Sequence, residues 1–322
     1  MKKTAYFFVD DCIWCLRDLA RTMPESIFDV PFLKMLKKVH DAYGLTVQLN
    51  LFYRTDFFYG YDEFTLKEVP DTYKAQWQAN ADWLKLAFHA KQEFPDYPYV
   101  NATYEDVKAS YMEIINEIVR FAGEESVARA VIPHWLPISK AGCQALYDCG
   151  VRIISPSNGK RTEYTGDPDV LPYGHAQRLL HNRQPETMLF TRQTKTKGIA
   201  SSICAYNHVS EKAHKALMGS FLAVKDEETG LWFKPLGGGP TVNNSTLADF
   251  RPTYESRNGE EFIGTGTHEQ YFYSDYFNYQ PDTEEKVMEM ARVLRELGYT
   301  YITADELEKN LVEYKEEENR NE

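Results

Sequence analysis

The sequence has no lysine- or arginine-rich run, no apolar stretch near the ~20 residues that a membrane-spanning helix needs, and no second CxxC to complete a thiolate metal site. Each absence closes a class of function. With 36 basic against 48 acidic side chains and a net charge of −12, nothing is concentrated to neutralise phosphate backbones or anionic lipid heads, so nucleic acid and membrane are excluded as partners. Five cysteines, an odd number in 322 residues, do not make a disulfide framework and place the protein in a reducing, cytoplasmic setting. Cys12 and Cys15 form the single CxxC and read as ordinary buried thiols. The basic start at Lys2 and Lys3 mimics an export signal, but the apolar segment Ala5 to Val9 is too short and runs into Asp10-Asp11; it reads as a strand.

What is present is an alternation of strands and helices. Thr4 to Val9 is a continuous apolar run of the kind covered on both faces. Pro31 opens a helix with Phe32, Met35, Leu36 and Val39 on one side and Gly44 as its stop, and Leu45 to Tyr53 is a second strand, giving a β-α-β unit. Residues 72–86 read as helical, with Leu84 to Phe88 an ambiguous strand leading into His89. Tyr104 to Phe121 is a helix ending at Gly123, Ala130 to Ile132 a strand, Ser139 the cap of a helix through Cys149, and Val151 to Ser155 another strand. The pattern returns with Glu261 to Gly264 before His268, a capping-box variant at Asp282 to Glu285, a helix stopped by Gly298, and a strand over Tyr299 to Thr303.

Repeated β-α units with chemistry at strand ends predict an α/β parallel barrel. The chain is read as one domain, residues 1–322, with the barrel over 1–155 and 260–310. Residues 156–259 read as a β-rich insertion and 311–322 as an acidic tail that frays beyond Tyr314. Gly237-Gly238-Gly239-Pro240 reads as a loop, since no phosphate-loop frame surrounds it.

Two adjacent carboxylates at a strand end, Asp10 and Asp11, repel unless a cation or proton accommodates them. Their side chains are expected on different sides, so that one binds a metal while the other takes a proton from water; a helix cap beside a solvated carboxylate is the alternative. His89 and Glu93 lie four apart, one face of a helical turn if the turn is helical, and then both reach one ion. His134 stands between Pro133 and Trp135 in a rigid aromatic segment and reads equally as structural or functional. His268 follows Gly264 and Gly266, small residues that let backbone approach a ligand, and precedes Tyr271 and further aromatics suited to stacking on sugars or to a core. His40, His175, His181, His208 and His214 read as structural or surface residues.

In this order the pieces resemble the polysaccharide deacetylase (NodB-homology) family of the glycoside hydrolase/deacetylase type. The resemblance implies an irregular (β/α)7 TIM-like barrel. Phe8-Val9-Asp10-Asp11 stands where the family has its paired aspartates, implying Asp10 as general base and Asp11 as metal ligand. His89 with Glu93 stands where the family has a histidine pair, a departure that implies a harder ligand set and admits Mn, Co or Fe beside Zn. Ile132 to Pro137 fills an arginine-bearing slot without the arginine, so His134 either replaces it or is the third ligand. Thr267-His268 followed by Leu297-Gly298-Tyr299 matches the segment whose histidine is the general acid. The resemblance implies one divalent metal ion, zinc foremost, and deacetylation of a carbohydrate or small amide. Metal would be held by Asp11, His89 and Glu93, and substrate would meet His134, Trp135 and Tyr271. The rival expectations are a metal-free glycosidase and a catalytically silent carbohydrate-binding protein; a homo-oligomer is left open.

Overall fold

The computed structural model describes residues 2–55, 63–94, 98–99, 102–136, 138–155, 219–226, 228–276 and 278–321, with the backbone alone for 315–321. The first part of the expected β-rich insertion, residues 156–218, and with it His175, His181, His208 and His214, lies outside these residues. Along the chain run β1 (Thr4–Cys12), α1 (Trp14–Thr22), α2 (Pro31–Tyr43), β2 (Val47–Phe52), α3 (Lys74–Ala79), β3 (Leu84–Ala90), α4 (Tyr104–Phe121), β4 (Ala130–Val131), α5 (Lys140–Asp148), β5 (Ile153–Ile154), β6 (Val224–Lys225), β7 (Trp232–Phe233), α6 (Leu247–Ser256), β8 (Phe262–His268), α7 (Thr283–Glu296), β9 (Thr300–Tyr301) and α8 (Ala304–Asn321). No helix among the described residues is long and apolar enough to cross a membrane.

The strands form two arcs. In the first, β3, β2, β1 and β8 are neighbours in that order and all parallel, with β9 also parallel to the start of β1. In the second, β4, β5 and β7 are parallel and β6 closes the edge antiparallel. A parallel bridge from Leu86 to Val127 links β3 to the approach of β4, and Gly239 donates to the Gly264 carbonyl at 2.6 Å on the other flank. The expected α/β parallel sheet is therefore present, in two arcs joined at these seams rather than as one continuous ladder. β2 and β3 are buried at every residue, as strands covered by helices on one side and by the interior on the other must be.

Caps explain where the sequence was readable. Pro31 stands at the first position of α2, and Gly44 ends it at φ +67°, a left-handed turn that glycine adopts without strain. Thr103 and Asp106 make a reciprocal capping box on α4, and the Ser139 side chain accepts from the Gly142 amide at the start of α5. Elsewhere the sequence misleads. The helix expected over 72–86 stops at Ala79, where Asn80 accepts from the Trp83 indole at 2.9 Å and turns the chain into β3. Asp282 stands at the N-cap of α7, but its side chain makes no capping hydrogen bond and pairs with Lys286 at 3.1 Å. The α8 backbone stays helical to Asn321 instead of fraying beyond Tyr314. Within the segment read as a β-rich insertion, β7 pairs in parallel with β5 and α6 follows it, so this part continues the strand-helix pattern.

Gly264 and Gly266 are both required by packing, and Gly266 also lines the cavity described below. A Cβ on Gly264 would lie 1.8 Å from the Leu236 carbonyl oxygen, and one on Gly266 would enter the Phe8 ring at 2.4 Å. The interior also holds a lysine. Lys234 is fully buried, with its ammonium 4.2 Å from the centre of the Phe262 ring, and burial pushes it down to about 7 against the opposing pull of Glu260. Between about pH 7 and the ordinary 10.5 the unfolded chain then binds more protons than the folded one. Stability should therefore rise with pH across that window by on the order of a few kcal/mol, and Lys234→Met should flatten the rise. Chemical unfolding at pH 7 and pH 9.5 reads it; equal slopes in both proteins would refute it.

Candidate metal centre and active site

The site begins with a bulge. Val9 on β1 opposes Leu49 on β2, yet Cys12 opposes Leu51, so β1 carries one extra residue here. Asp11 takes it up at φ +61°, a conformation that aspartate tolerates better than most residues. Strand alternation is broken, and Asp10 and Asp11 line the same cavity rather than opposite faces as expected. The neighbouring strands of the first arc bring His89 near the end of β3 and His268 to the end of β8, while Pro133 to Leu136 follow β4. All of these stand at the C-terminal ends of parallel strands, where the fold places reactive loops.

Three atoms decide the chemistry. His89 Nδ1 lies 2.6 Å from the Ile132 carbonyl, which can only accept, so this nitrogen carries the proton and Nε2 presents a lone pair. His134 Nε2 lies 2.9 Å from the Glu93 carbonyl, so by the same logic its Nδ1 presents a lone pair. His89 Nε2 and His134 Nδ1 are 3.1 Å apart, and both face Asp11 Oδ1, at 3.1 and 3.4 Å. Three buried acceptors thus converge with no donor among them. Donor atoms around one divalent ion, at bond lengths of ~2.0–2.2 Å, lie ~2.8–3.6 Å from one another, so the triangle fits a cation. Carbonyls on the outer ring nitrogens are the partners that fix the tautomer of a metal-binding histidine. Phe52 packs its ring against both imidazoles, with centroids at 5.4 and 5.0 Å, an apolar wall that strengthens charge at the centre.

The ionisations follow from this crowding. Although burial opposes it, the imidazoles of His134 and His89 beside it, whichever of them takes up a second proton, and the nearby His268 hold the Asp11 carboxyl well below its ordinary range. Burial pushes the His89 imidazole down, and the carboxylates of Asp10 and Asp11 more than offset it, so its affinity for a proton is raised. A proton or a metal ion must stand among these atoms.

Glu93, expected as the third ligand, lies outside the triangle. His89 is on a strand, so the helical spacing that suggested the pair does not exist, and Glu93 gives its main-chain carbonyl to His134 instead. Its buried carboxylate, pushed up to about 7 chiefly by burial and by the charge of Asp11, shares the Gln270 amide with Asp11, at 3.4 and 2.9 Å. His134, expected on the substrate wall or as a ligand, is in the triangle. It does not stand in for an arginine at Asp10, whose Oδ1 accepts from Asn50 Nδ2 at 2.7 Å. Burial raises the Asp10 carboxyl against the charges of His89 and His268.

Asp10 and His268 are register partners on β1 and β8, and both open into a cavity of about 500 Å³. His268 is partly exposed, 3.3 Å from Asn243 Oδ1 and 3.9 Å from Asp11 Oδ2. Trp135, Tyr271 and Tyr276 supply aromatic faces to the cavity, and Ser155, Thr241 and Asn244 polar groups. Trp135 and Leu136 are both left-handed, at φ +63° and +75°, strain that a loop shaped around a site retains. Sequence reading missed Asn50, Asn243, Glu269 and Gln270. Glu269, fully buried, accepts from the backbone amides of Ile13, Trp14 and Cys15 at 2.7 to 2.8 Å and so caps α1 from the 3-10 turn that follows β8. Cys12 and Cys15 are buried beside it, as ordinary thiols.

No family model and no curated protein matches the sequence. Among solved structures the chain is similar to the 4-alpha-glucanotransferase of Thermococcus litoralis, at 11% identity and a TM-score of 0.51, over 95% of this chain and 40% of that one. It also overlaps the Xyl-CE4 domain of a multidomain xylanase from the hindgut metagenome of Trinervitermes trinervoides, at 11% identity and a TM-score of 0.43, over 95% and 90% of the two chains. A family 4 acetyl xylan esterase from Clostridium thermocellum, in complex with a cobalt ion, overlaps at 12% identity and a TM-score of 0.40, over 95% and 90%. The glucanotransferase match supports the α/β fold and leaves the reaction to be argued from the site.

Proposed function

We propose that the protein is a metal-dependent hydrolase that removes an acyl group from an N-acetylated sugar or a related amide, with residues 1–322 working as one domain. The observation that carries this is the triangle of lone pairs on Asp11 Oδ1, His89 Nε2 and His134 Nδ1, which no hydrogen-bond donor among the described residues satisfies. These residues would hold one divalent ion, zinc foremost for two imidazoles and a carboxylate, and the ion would polarise the acyl carbonyl and acidify water. Asp10, raised by burial, accepts the proton of the attacking water. His268, its register partner across β1 and β8, gives a proton to the departing amine. Trp135, Tyr271 and Tyr276 offer faces on which a sugar ring stacks, and Thr241, Asn243 and Asn244 offer partners to its hydroxyls.

Asp10→Asn is expected to lower acetate release from N-acetylglucosamine oligomers by about 10²–10⁴-fold while zinc content stays unchanged. Asp11→Ala should lose both. Wild-type turnover in Asp10→Asn would remove Asp10 as the base, and sugar binding by zinc-loaded protein without any acetate release would favour the catalytically silent reading.

A further inference from the structure

One chain of buried, hydrogen-bonded polar side chains crosses the interior of the first arc and ends on the site. Tyr6 on β1 and Gln48 and Asn50 on β2 are 1%, 2% and 0% exposed. Tyr6 Oη donates to Gln48 Oε1 at 2.5 Å, Gln48 Nε2 donates to Asn50 Oδ1 at 2.7 Å and to the Ala130 carbonyl at 3.1 Å, and Asn50 Nδ2 donates to Asp10 Oδ1.

The direction of every link is fixed by one atom. The Ala130 carbonyl can only accept, so the Gln48 amide must turn its nitrogen to that side and its oxygen to Tyr6. Both Gln48 hydrogens are then spent, one on Ala130 and one on Asn50 Oδ1, so Asn50 must turn its own nitrogen to Asp10. Reversing either amide would set donor against donor or acceptor against acceptor in a dry interior, which is the costly arrangement for buried polar groups. Among the described residues Asn50 is the one hydrogen-bond donor to the Asp10 carboxylate. Among the described residues the other carboxylate oxygen, Oδ2, has no donor of this kind, and Asp10 lines the cavity.

We propose that Asn50 is the positioning residue of Asp10, aimed by Gln48 and Tyr6, and that this uncharged relay holds Oδ1 and leaves Oδ2 to meet the attacking water. The proposal rests on the reading of Asp10 as the base. Its physical content is orientation: a carboxylate free to rotate about its last bond presents the reacting oxygen only part of the time, and misplacement of about 1 Å can cost on the order of 10² in rate.

The test compares zinc-loaded wild type, Asn50→Leu, Gln48→Met and Asp10→Asn, with acetate release from the N-acetylglucosamine tetramer, zinc content and crystal structures as readouts. Asn50→Leu should keep stoichiometric zinc and a KM near that of wild type, lower kcat by about 10–100-fold, and show the Asp10 carboxylate rotated. Gln48→Met, which leaves the Asn50 amide free to flip, should give a smaller loss of the same kind. A merely structural relay predicts lower thermal stability with kcat per bound zinc unchanged and Asp10 unmoved, and that result overturns the proposal. Should Asn50→Leu fail to fold, the same unchanged kcat and unmoved Asp10 in Gln48→Met overturn it. Wild-type turnover in Asp10→Asn would instead remove the base, and the proposal with it; loss there beside unchanged kcat in Asn50→Leu overturns the relay alone.

Discussion

His134→Ala is expected to strip the protein of its divalent ion, while Glu93→Gln keeps it. The sequence leaves the two open, since Glu93 stands in the position of a second ligand four residues after His89 and His134 follows a strand end. The geometry decides between them, because the lone pair of His134 Nδ1 lies 3.1 Å from that of His89, whereas Glu93 reaches the group through Gln270 and a main-chain carbonyl. Loss of an outer partner of a metal ligand typically weakens binding about 10- to 100-fold, and loss of a ligand in a three-ligand site should exceed that. Zinc affinity should therefore fall by more than about 100-fold in His89→Ala and His134→Ala and by no more than about 10-fold in Glu93→Gln. Competition with a chromogenic chelator measures it. The same ranking should hold for stability, since an ion present at 1,000 times its dissociation constant adds about 4 kcal/mol to the folded state. Zinc should raise the melting temperature of wild type and Glu93→Gln, and not that of the histidine variants. Tight zinc binding by His134→Ala would break the triangle, and with it the hydrolytic reading.

How far the sequence could be read follows from the range of its signals. The α2, α4, α5 and α7 helices were legible because each carries its own periodicity and stop signals, Gly44 and Gly298 among them. The boundary between α3 and β3 was not, since Trp77, Trp83 and Leu84 suit a buried helix as well as a strand, and pairing with β2 settles it. Asp10, Asp11 and His268 could be singled out because strand ends were visible, and His89 through its spacing to Glu93, although it stands on a strand. The choice between Glu93 and His134 beside them could not be made, because His134 meets His89 only through the adjacency of the loop after β4 to the end of β3, a long-range contact. One signal was present and unread. Gln48 and Asn50 alternate inside a strand whose other residues are apolar, the pattern of side chains aimed at one polar interior point. Glu269 shows the opposite case, a carboxylate whose neighbour His268 draws the eye although Glu269 is the more buried of the two.

Glu269→Ala is expected to cause a large loss of stability. Its two carboxylate oxygens accept from the amides of Ile13, Trp14 and Cys15, which open α1 and have no carbonyl within the helix to bond. Ile13, at the cap position, offers no side-chain acceptor of its own. A negative charge at a helix start is favourable in itself, and here it is fully buried. Burial pushes the carboxyl up, and the Cys15 thiol with the three amides pulls it back. Alanine would leave three buried donors without partners, each costing about 1–3 kcal/mol less whatever water recovers, for a total of about 3–5 kcal/mol. Glu269→Gln keeps one acceptor oxygen and sets an amide NH2 donor against another N–H, so it should lose about half as much. The consequence reaches the metal centre. Asp11 lies two residues before Ile13, and Gln270, which holds Asp11 Oδ2, follows Glu269 directly. The carboxylate therefore locks the segment that carries one ligand to the segment that steadies it. Glu269→Ala should weaken zinc as well as the fold, and added zinc should restore part of the lost stability. Denaturant unfolding of the metal-free and zinc-loaded proteins measures both, and a Glu269→Ala protein within about 1 kcal/mol of wild type would show that water, not the carboxylate, satisfies the start of α1.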